Sequence, residues 1–571
     1  MDVSENTAAL LATMQADLHK QRVLIIDRHP PARESLRLML ANLGITQVHG
    51  AGSSADVLRQ VRNNPFDIVL SDYILEDGRD GQQLLEELRH NHLLPLSAVY
   101  MIVTSERSYH NVVSLAELTP DDYLIKPFTA DLLQTRLTKA LYKKHVLKPI
   151  YTHMARGAFE QAIQACDLVI MENPAYQLEA QRFKGELLQT LGRLEEAQGL
   201  YQGLLTLKPI PWAKMGLAMV ARTQNRLEEA EKLAQELIEE NPDFLSAYDF
   251  LSLVRESQGH LVEAQEALQE AALRAPHNTL RLRLVGDLAL QNNELEVAER
   301  AFSKVLERHR GSSLRSVDDY TSLSKVHLEK GNLNGAREVI KNLRRDWRGE
   351  KQGELAALVM ESLSYQKEGD EAKAGQLVEQ ALKLHQELAA EQDSTVPGSR
   401  RLTVDLAQAC METGKDEAAH QLLRQVATEH HDDFRVISHI ENVFEKTGQS
   451  DVGRAMLEEV GAEIIRLNNE GVLTARGGDL KAAVDMLMNA ADRVPNVQFL
   501  VNAARAIFTL MDQQGWDVDL AARATDYLKR AQTKAPRNPK VLLTLEIHAQ
   551  VARKYGISIL DVEAGSNSQS P

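Results

Sequence analysis

Hydrophobic positions follow two different rhythms along the chain, and the change falls near residue 150. In the first part, short apolar runs alternate with amphipathic stretches. Val23-Leu-Ile-Ile26 has the unbroken apolar character of a buried strand, and Leu36, Leu38, Met39, Leu40 and Leu43 follow at helical spacing. Ile68-Val-Leu70, Val99-Tyr-Met-Ile-Val103 and Tyr123-Leu-Ile125 renew the pattern, each followed by a helix-like segment, and Gln47-Val-His49 reads as a weaker strand. Such alternation predicts a parallel sheet with helices on both faces. From about residue 150 the strand signals vanish and helical periodicity takes over.

This second part repeats itself. Prolines fall at Pro174, Pro209, Pro242 and Pro276, in steps of 35, 33 and 34 residues. The segments RGAFEQA, LGRLEEA, QNRLEEA, QGHLVEA, NNELEVA, KGNLNGA, EGDEAKA, TGKDEAA and GGDLKAA recur as turns. Each opens its turn on Gly or Asn, residues that tolerate left-handed backbone at a helix end. Five residues later stands Ala162, Ala197, Ala230, Ala264, Ala298, Ala336, Ala374, Ala419 or Ala483, small enough to let two helices approach closely. A proline about seventeen residues beyond the turn stops the second helix. Spacing drifts and the proline is lost between about 310 and 450; the unit at 464–495 is regular again.

Length, 571 residues, allows roughly three or four domains' worth of chain. The net charge of −16 sets a field that repels nucleic acid, so no nucleic-acid partner is expected. Cys166 and Cys410 stand far apart with no metal-type spacing, which suits a reducing compartment. The start of the chain lacks the basic and apolar regions of a signal peptide, and Leu93 to Val103 is about half a membrane span, so no membrane insertion and a cytoplasmic location are expected. The boundary between the two modules is expected near Lys148-Pro149, where proline should interrupt the helix leaving the sheet.

Chemistry in a parallel sheet gathers beyond the carboxyl ends of the strands. Asp27 ends the first strand, Asp72 the third, Thr104 and Ser105 the fourth, and Lys126 and Pro127 the fifth. Two carboxylates, a hydroxyl and a lysine would converge on one rim. The Asp72 carboxylate is suited to attack a phosphoryl group, with Lys126 and Thr104 as donors to its oxygens. Asp77 and Asp80 lie in the loop beyond.

Residues 20–142 resemble the receiver domain of two-component response regulators. The resemblance rests on VLIIDRHPPARESL, DIVLSDYILEDGRDGQQLLEELR, MIVTS and DDYLIKPF, in that order and spacing. It implies a flavodoxin-like, five-stranded parallel sheet, with Asp72 as phosphoacceptor, Thr104 as switch hydroxyl, Tyr123 as switch aromatic and a cis-type bond after Lys126. It also implies Mg2+ held by Asp27, Asp72 and the backbone carbonyl of Ile74. One departure bears on that ion: the family's first strand usually ends in two adjacent acids, and here Arg28 follows Asp27. A guanidinium offers magnesium no oxygen, so the ion should be held weakly; Arg28 could instead fork onto Asp27 or Asp72.

The second part resembles the tetratricopeptide repeat, which implies an all-α superhelical solenoid whose concave face binds another protein. The expected organisation is an N-terminal extension 1–19, a receiver 20–142, about nine to eleven repeats in 143–560 and a disordered tail 561–571. The combined resemblance is to tetratricopeptide-repeat response regulators of bacteria. It implies a signalling adaptor, not a turnover enzyme, with a histidine kinase as one partner and an unknown protein on the array as another. The alternatives are a phosphorylation-independent scaffold with a degenerate receiver, and a phosphate sink. The segment Tyr123 to Tyr142 offers a face for a homodimer. Gly477-Gly-Asp-Leu480 and Glu429-His-His-Asp-Asp433 have cyclase-like and metal-like residue types, but they read as a repeat turn and a loop.

Overall fold

The order β2-β1-β3-β4-β5 places the third strand of the chain at the centre of a five-stranded, all-parallel sheet, with the first strand beside it. A computed structural model describes residues 17–556 apart from 77–79, 92, 106–119, 310–311, 313, 393–398, 432 and 536–537. Asp77, the helix expected after the fourth strand, residues 1–16 of the expected extension and the tail 561–571 lie outside the described residues. The N-terminal elements are β1 (Val23–Ile26), α1 (Pro30–Asn42), β2 (Val48–Ala51), α2 (Ser54–Asn63), β3 (Ile68–Ser71), α3 (Gly81–His90), β4 (Val99–Thr104), β5 (Asp122–Ile125) and α4 (Ala130–Ala155). β2 begins one residue later than the apolar pattern suggests, with Val23 opposite Val48 and Ile26 opposite Ala51.

Side chains alternate along each strand, so the continuous apolar runs feed two cores at once. Leu24, Ile26, Val69 and Ile102 pack with Leu84, Leu85 and Leu88 of α3 and Val57 of α2. Val23, Ile25, Leu70 and Met101 pack on the other face with Leu36 and Leu40 of α1 and Leu133 and Leu137 of α4. Ser53 caps α2 by accepting the Asp56 N–H, and Asp80 closes a reciprocal capping box with Gln83 on α3.

The expected break at Lys148-Pro149 does not occur. α4 runs 26 residues with Pro149 inside it. Val146, Leu147 and Ile150 on either side are buried, and their burial offsets the hydrogen bond that proline cannot donate. The helix of the sheet domain therefore continues through the expected boundary into the repeats.

Contacts divide the chain into two compact units, residues 1–155 with 159–315 and residues 156–158 with 316–571. After α4 the first unit holds α5 (Phe159–Glu172), α6 (Gln177–Thr190), α7 (Leu194–Leu207), α8 (Pro211–Thr223) and α9 (Leu227–Glu240). It continues with α10 (Ser246–Ser257), α11 (Leu261–Arg274), α12 (Thr279–Gln291) and α13 (Leu295–Arg308). α5, α7, α9, α11 and α13 are each 14 residues long. The first four stop two residues before Pro174, Pro209, Pro242 and Pro276, as the proline rule requires.

The second unit holds α14 (Val317–Glu329), α15 (Leu333–Asp346), α16 (Lys351–Glu368), α17 (Glu371–Gln392), α18 (Arg400–Glu412) and α19 (Asp416–Glu429). It ends with α20 (Phe434–Lys446), α21 (Ser450–Arg476), α22 (Leu480–Arg493), α23 (Val497–Gln514), α24 (Val518–Lys534) and α25 (Pro539–Lys554). The drift in spacing has a simple cause: α16 and α17 are stretched to 18 and 22 residues, and α21 to 27.

All nine turn residues read from the sequence have positive φ, including Asn225 and Asn293 at 60°. All nine alanines five residues on are fully buried. A further turn of this kind, at Gly448 with φ 72°, escaped the pattern because Gly453 stands where the alanine would. A Cβ on Gly453 would lie 2.5 Å from the Phe444 ring, so this helix crossing is closer than alanine permits. Inside the second unit Asp405 is fully buried and paired with Lys325, linking α18 to α14.

Candidate functional site

Because all five strands are parallel, their carboxyl ends open onto one edge, and the residues singled out there do meet. Asp27 follows β1, Asp72 follows β3, Thr104 closes β4 and Lys126 follows β5. Lys126 Nζ donates to Asp27 Oδ2 at 2.7 Å and to Asp72 Oδ2 at 3.0 Å, so one ammonium bridges both carboxylates. The other oxygens are also engaged: Asp27 Oδ1 accepts the His29 N–H at 2.8 Å and Asp72 Oδ1 accepts the Tyr73 N–H at 2.7 Å.

Burial works to raise the Asp27 pKa, but the Lys126 hydrogen bond, the His29 N–H and the Lys126 charge outweigh it and hold Asp27 below the usual carboxylate value. Burial likewise works to lower Lys126, and its bonds to Asp27 and Asp72 outweigh that and raise it. The lysine is therefore a fixed positive charge at the rim, and Asp27 a fixed negative one. The Lys126-Pro127 bond is cis. The Thr104 side chain is buried, and its carbonyl accepts the Lys126 N–H at 2.8 Å. Tyr123 sits in register with Ile102 and packs, partly buried, against the core that holds Leu84 and Tyr100.

Arg28 does not fork onto the acids. Its Nε lies 2.9 Å from His29 Nε2 and its side chain is exposed. The neighbouring backbone turns Arg28 away while the buried Asp27 turns inward. A different arginine, unremarked in the sequence, supports the site: Arg33 NH1 donates to the Asp27 carbonyl at 2.5 Å. Its signal was its place on the first turn of α1, directly after the strand that delivers Asp27. Gly81, also missed, packs its backbone against Asp72: a Cβ there would lie 2.5 Å from the Asp72 carbonyl oxygen.

The donor set fits a magnesium ion sparsely. Asp27 and Asp72 already gather around one cation, the Lys126 ammonium, and each carboxylate oxygen keeps a lone pair beyond its present hydrogen bond. The Ile74 carbonyl belongs to the same loop, which closes by a bridge between Ile74 and Asp80. Arg28, next to Asp27 in the chain, adds no oxygen to this set, and its side chain lies against His29. Elsewhere, Glu429 pairs with Lys534 at 2.9 Å and Asp433 caps α20, while Gly478 and Asp479 form the turn and cap before α22.

Comparison with known proteins agrees with the two rhythms of the sequence. The family described as response regulator receiver domain matches residues 23–138, and the tetratricopeptide repeat family matches residues 183–243. Chemotaxis protein CheY-3 of Vibrio cholerae is 30% identical over 127 residues, which are 22% of this chain and 96% of that protein. Chemotaxis protein CheY of Pseudomonas aeruginosa is 28% identical over 118 residues, 21% of this chain and 94% of that protein. Among solved structures, Pseudomonas aeruginosa pilF is 15% identical with a TM-score of 0.30, over 37% of this chain and 95% of that one.

Proposed function

Because the chain belongs through its N-terminal part to the response regulator receiver family and carries tetratricopeptide repeats behind it, we propose that it is a two-component signalling adaptor phosphorylated on Asp72. The donor is a phosphohistidine of a histidine kinase. An Asp72 carboxylate oxygen forms a bond to phosphorus as the P–N bond to the imidazole breaks. The bonding pair returns to the imidazole nitrogen, which takes a proton from solvent, and an acyl phosphate is left on Asp72.

The observation that supports this reading is the shared ammonium of Lys126, 2.7 Å from Asp27 and 3.0 Å from Asp72. It stands where negative charge would build on the transferring group, and it is already oriented, so little reorganisation is needed. Thr104 is placed on the neighbouring strand end to donate its hydroxyl to a phosphoryl oxygen. Magnesium, held by Asp27, Asp72 and the Ile74 carbonyl, would neutralise charge on the phosphoryl oxygens. Tyr123 is the aromatic placed to follow Thr104, and the repeat array is the output that binds a protein partner.

The domains proposed are the receiver 20–142 and an array over 143–560, joined by the continuous helix α4. Among the described residues no helix is long and apolar enough to cross a membrane, and a cytoplasmic site of action accords with the family. The test is phosphoryl incorporation from a small-molecule donor or a cognate kinase. Asp72→Asn should abolish acid-labile label, whereas Asp80→Asn should retain it. Label that survives Asp72→Asn would place the acceptor elsewhere.

A further inference from the structure

Asp80 is gripped from two sides. Its Oδ1 accepts the Gln83 N–H at 2.8 Å as the cap of α3, and its Oδ2 receives Arg308 NH2, from the last turn of α13, at 2.6 Å. Both side chains of this pair are only 13% exposed. Gln83 Nε2 donates to the Arg308 carbonyl at 3.1 Å, satisfying one of the carbonyls that a helix end leaves open. Arg308 NH1 is 2.9 Å from His277 Nδ1. Arg283 NH2, beside it, reaches the Leu314 carbonyl at 3.1 Å and His309 Nδ1 at 3.0 Å.

Glu86 faces the same group. Burial raises its pKa, and His309, Arg283 and Arg308 pull it back down. Asp80, Gln83 and Glu86 are three residues apart, so one side of α3 meets a basic helix end. This contact joins positions 228 residues apart in sequence within one compact unit.

The other side of α3 has no slack towards the proposed acceptor. A Cβ on Gly81 would lie 2.5 Å from the Asp72 carbonyl oxygen, 3.0 Å from Ser71 Oγ and 3.2 Å from Ile102 Cδ1. The Gly81 N–H donates to the Tyr73 carbonyl at 2.7 Å, and the buried Tyr100 hydroxyl donates to the Gly81 carbonyl at 2.9 Å. The first turn of α3 is thus fastened to the backbone around Asp72 on one side and to Arg308 on the other.

We infer that the Asp80–Arg308 pair is a clasp by which the receiver holds the repeat hairpin ending in α13, and that phosphorylation of Asp72 loosens it; the second half rests on the Asp72 reading above. A phosphoryl group adds roughly −1.5 to −2 charges and three oxygens. It must enter a space already bounded by Lys126, Asp27 and the Tyr73 N–H. The Tyr73 backbone moves to admit it, and because Gly81 is bonded to the Tyr73 carbonyl and packed against Asp72 with no gap, the motion reaches Asp80. A charge-assisted hydrogen bond weakens steeply once its short distance and alignment are lost. The clasp is therefore placed to convert occupancy at Asp72 into release of the array.

Hydrogen exchange on the full chain tests this, read on peptides covering 81–90 and 295–309. Asp80→Asn keeps a good helix cap but removes the charge, and Arg308→Gln removes the other partner. Each should raise exchange on both peptides roughly ten- to a hundredfold, the range for losing a hydrogen bond to a charged group. Beryllofluoride with saturating magnesium should do the same to the wild-type chain and add little to Asp80→Asn. Exchange that rises only on the mutated side would overturn the clasp. Beryllofluoride seen bound at Asp72 by fluorine NMR, with 295–309 unchanged or better protected, would overturn its release by phosphorylation. No adduct at Asp72 would sink the acceptor reading and the release with it, while the two substitutions would still decide whether the clasp exists.

Discussion

Lys126 holds Asp27 through a 2.7 Å ion pair although the Asp27 carboxyl is almost completely buried. The pair, with the His29 N–H, keeps the folded pKa of Asp27 below the ordinary value of 3.8. A carboxyl depressed on folding stabilises the folded state above its unfolded pKa, and that contribution is lost as pH falls through the folded value. Calorimetry from pH 7 downwards should therefore show the receiver transition steady until about pH 4 and falling below it. In Lys126→Met, burial is left opposed only by the His29 N–H, so the Asp27 pKa rises, the receiver should be less stable at pH 7, and its decline below about pH 4 should shrink or reverse. Identical profiles for the two proteins would show that Lys126 does not set the Asp27 charge.

Arg28 bears on magnesium through what it lacks rather than through where it points. Its guanidinium is directed at His29. Arg28→Ala should therefore change magnesium affinity by no more than about twofold, a surface-charge effect screened by solvent. Arg28→Asp supplies an oxygen beside Asp27 and should tighten binding by roughly tenfold or more, since one favourable charge pair near a protein surface exceeds 1.4 kcal/mol. Isothermal titration with magnesium alone reads both. Equal affinity in Arg28→Asp and wild type would mean that the position cannot reach the ion.

Asn225 and Asn293 take the left-handed turn that glycine takes in the other repeats, each with φ of 60°. An L-residue there forgoes roughly 1–2 kcal/mol, less for Asn and nothing for Gly. Asn293→Gly should raise the denaturation midpoint slightly, and Asn293→Val should lower stability by about 1–2 kcal/mol. A valine variant as stable as wild type would show that the turn adopts another backbone.

Tyr201 is enclosed by two glycines, Gly185 on α6 and Gly216 on α8; a Cβ on either would lie 2.5 Å from its ring. The hydroxyl is held by Gln189 Nε2 at 2.6 Å. Gly216→Ala should cost about 1–3 kcal/mol by overpacking, whereas Tyr201→Ala should cost about 3–5 kcal/mol by leaving a cavity. Tyr201→Leu should rescue part of the Gly216→Ala loss, because the ring is what the new methyl meets. Chemical denaturation of the single and double variants decides it, and simple additivity would refute the contact.

In the second unit, burial drives the His385 pKa from 6.5 down to about 4. The folded state keeps this imidazole neutral, while the unfolded state takes up a proton below 6.5. Stability should therefore fall as pH drops from 6.5 towards about 4, the reverse of the sign for a histidine that gains an acidic partner. His385→Leu should flatten that part of the profile. An unchanged slope between pH 6.5 and 4 in the variant would assign the acid sensitivity to another group.

What the sequence determined by itself is what depends on a few neighbouring residues. Alternating apolar runs marked the strands whose ends carry Asp27, Asp72, Thr104 and Lys126, because strand period and strand direction are local properties. The nine turns were legible because a left-handed residue followed by a buried alanine is a demand that one helix–turn–helix makes on itself. Tertiary structure decided the rest. Pro149 remains inside α4 because the packing around Ile150 outweighs a local preference. Arg28 faces His29, and not the acids that its charge suggested, because the backbone after a buried strand end leaves that side chain outside. Gly453 replaces the expected alanine because Phe444 fills its place. The Asp80–Arg308 pair had no sequence signal, since its partners meet only after every intervening hairpin has packed.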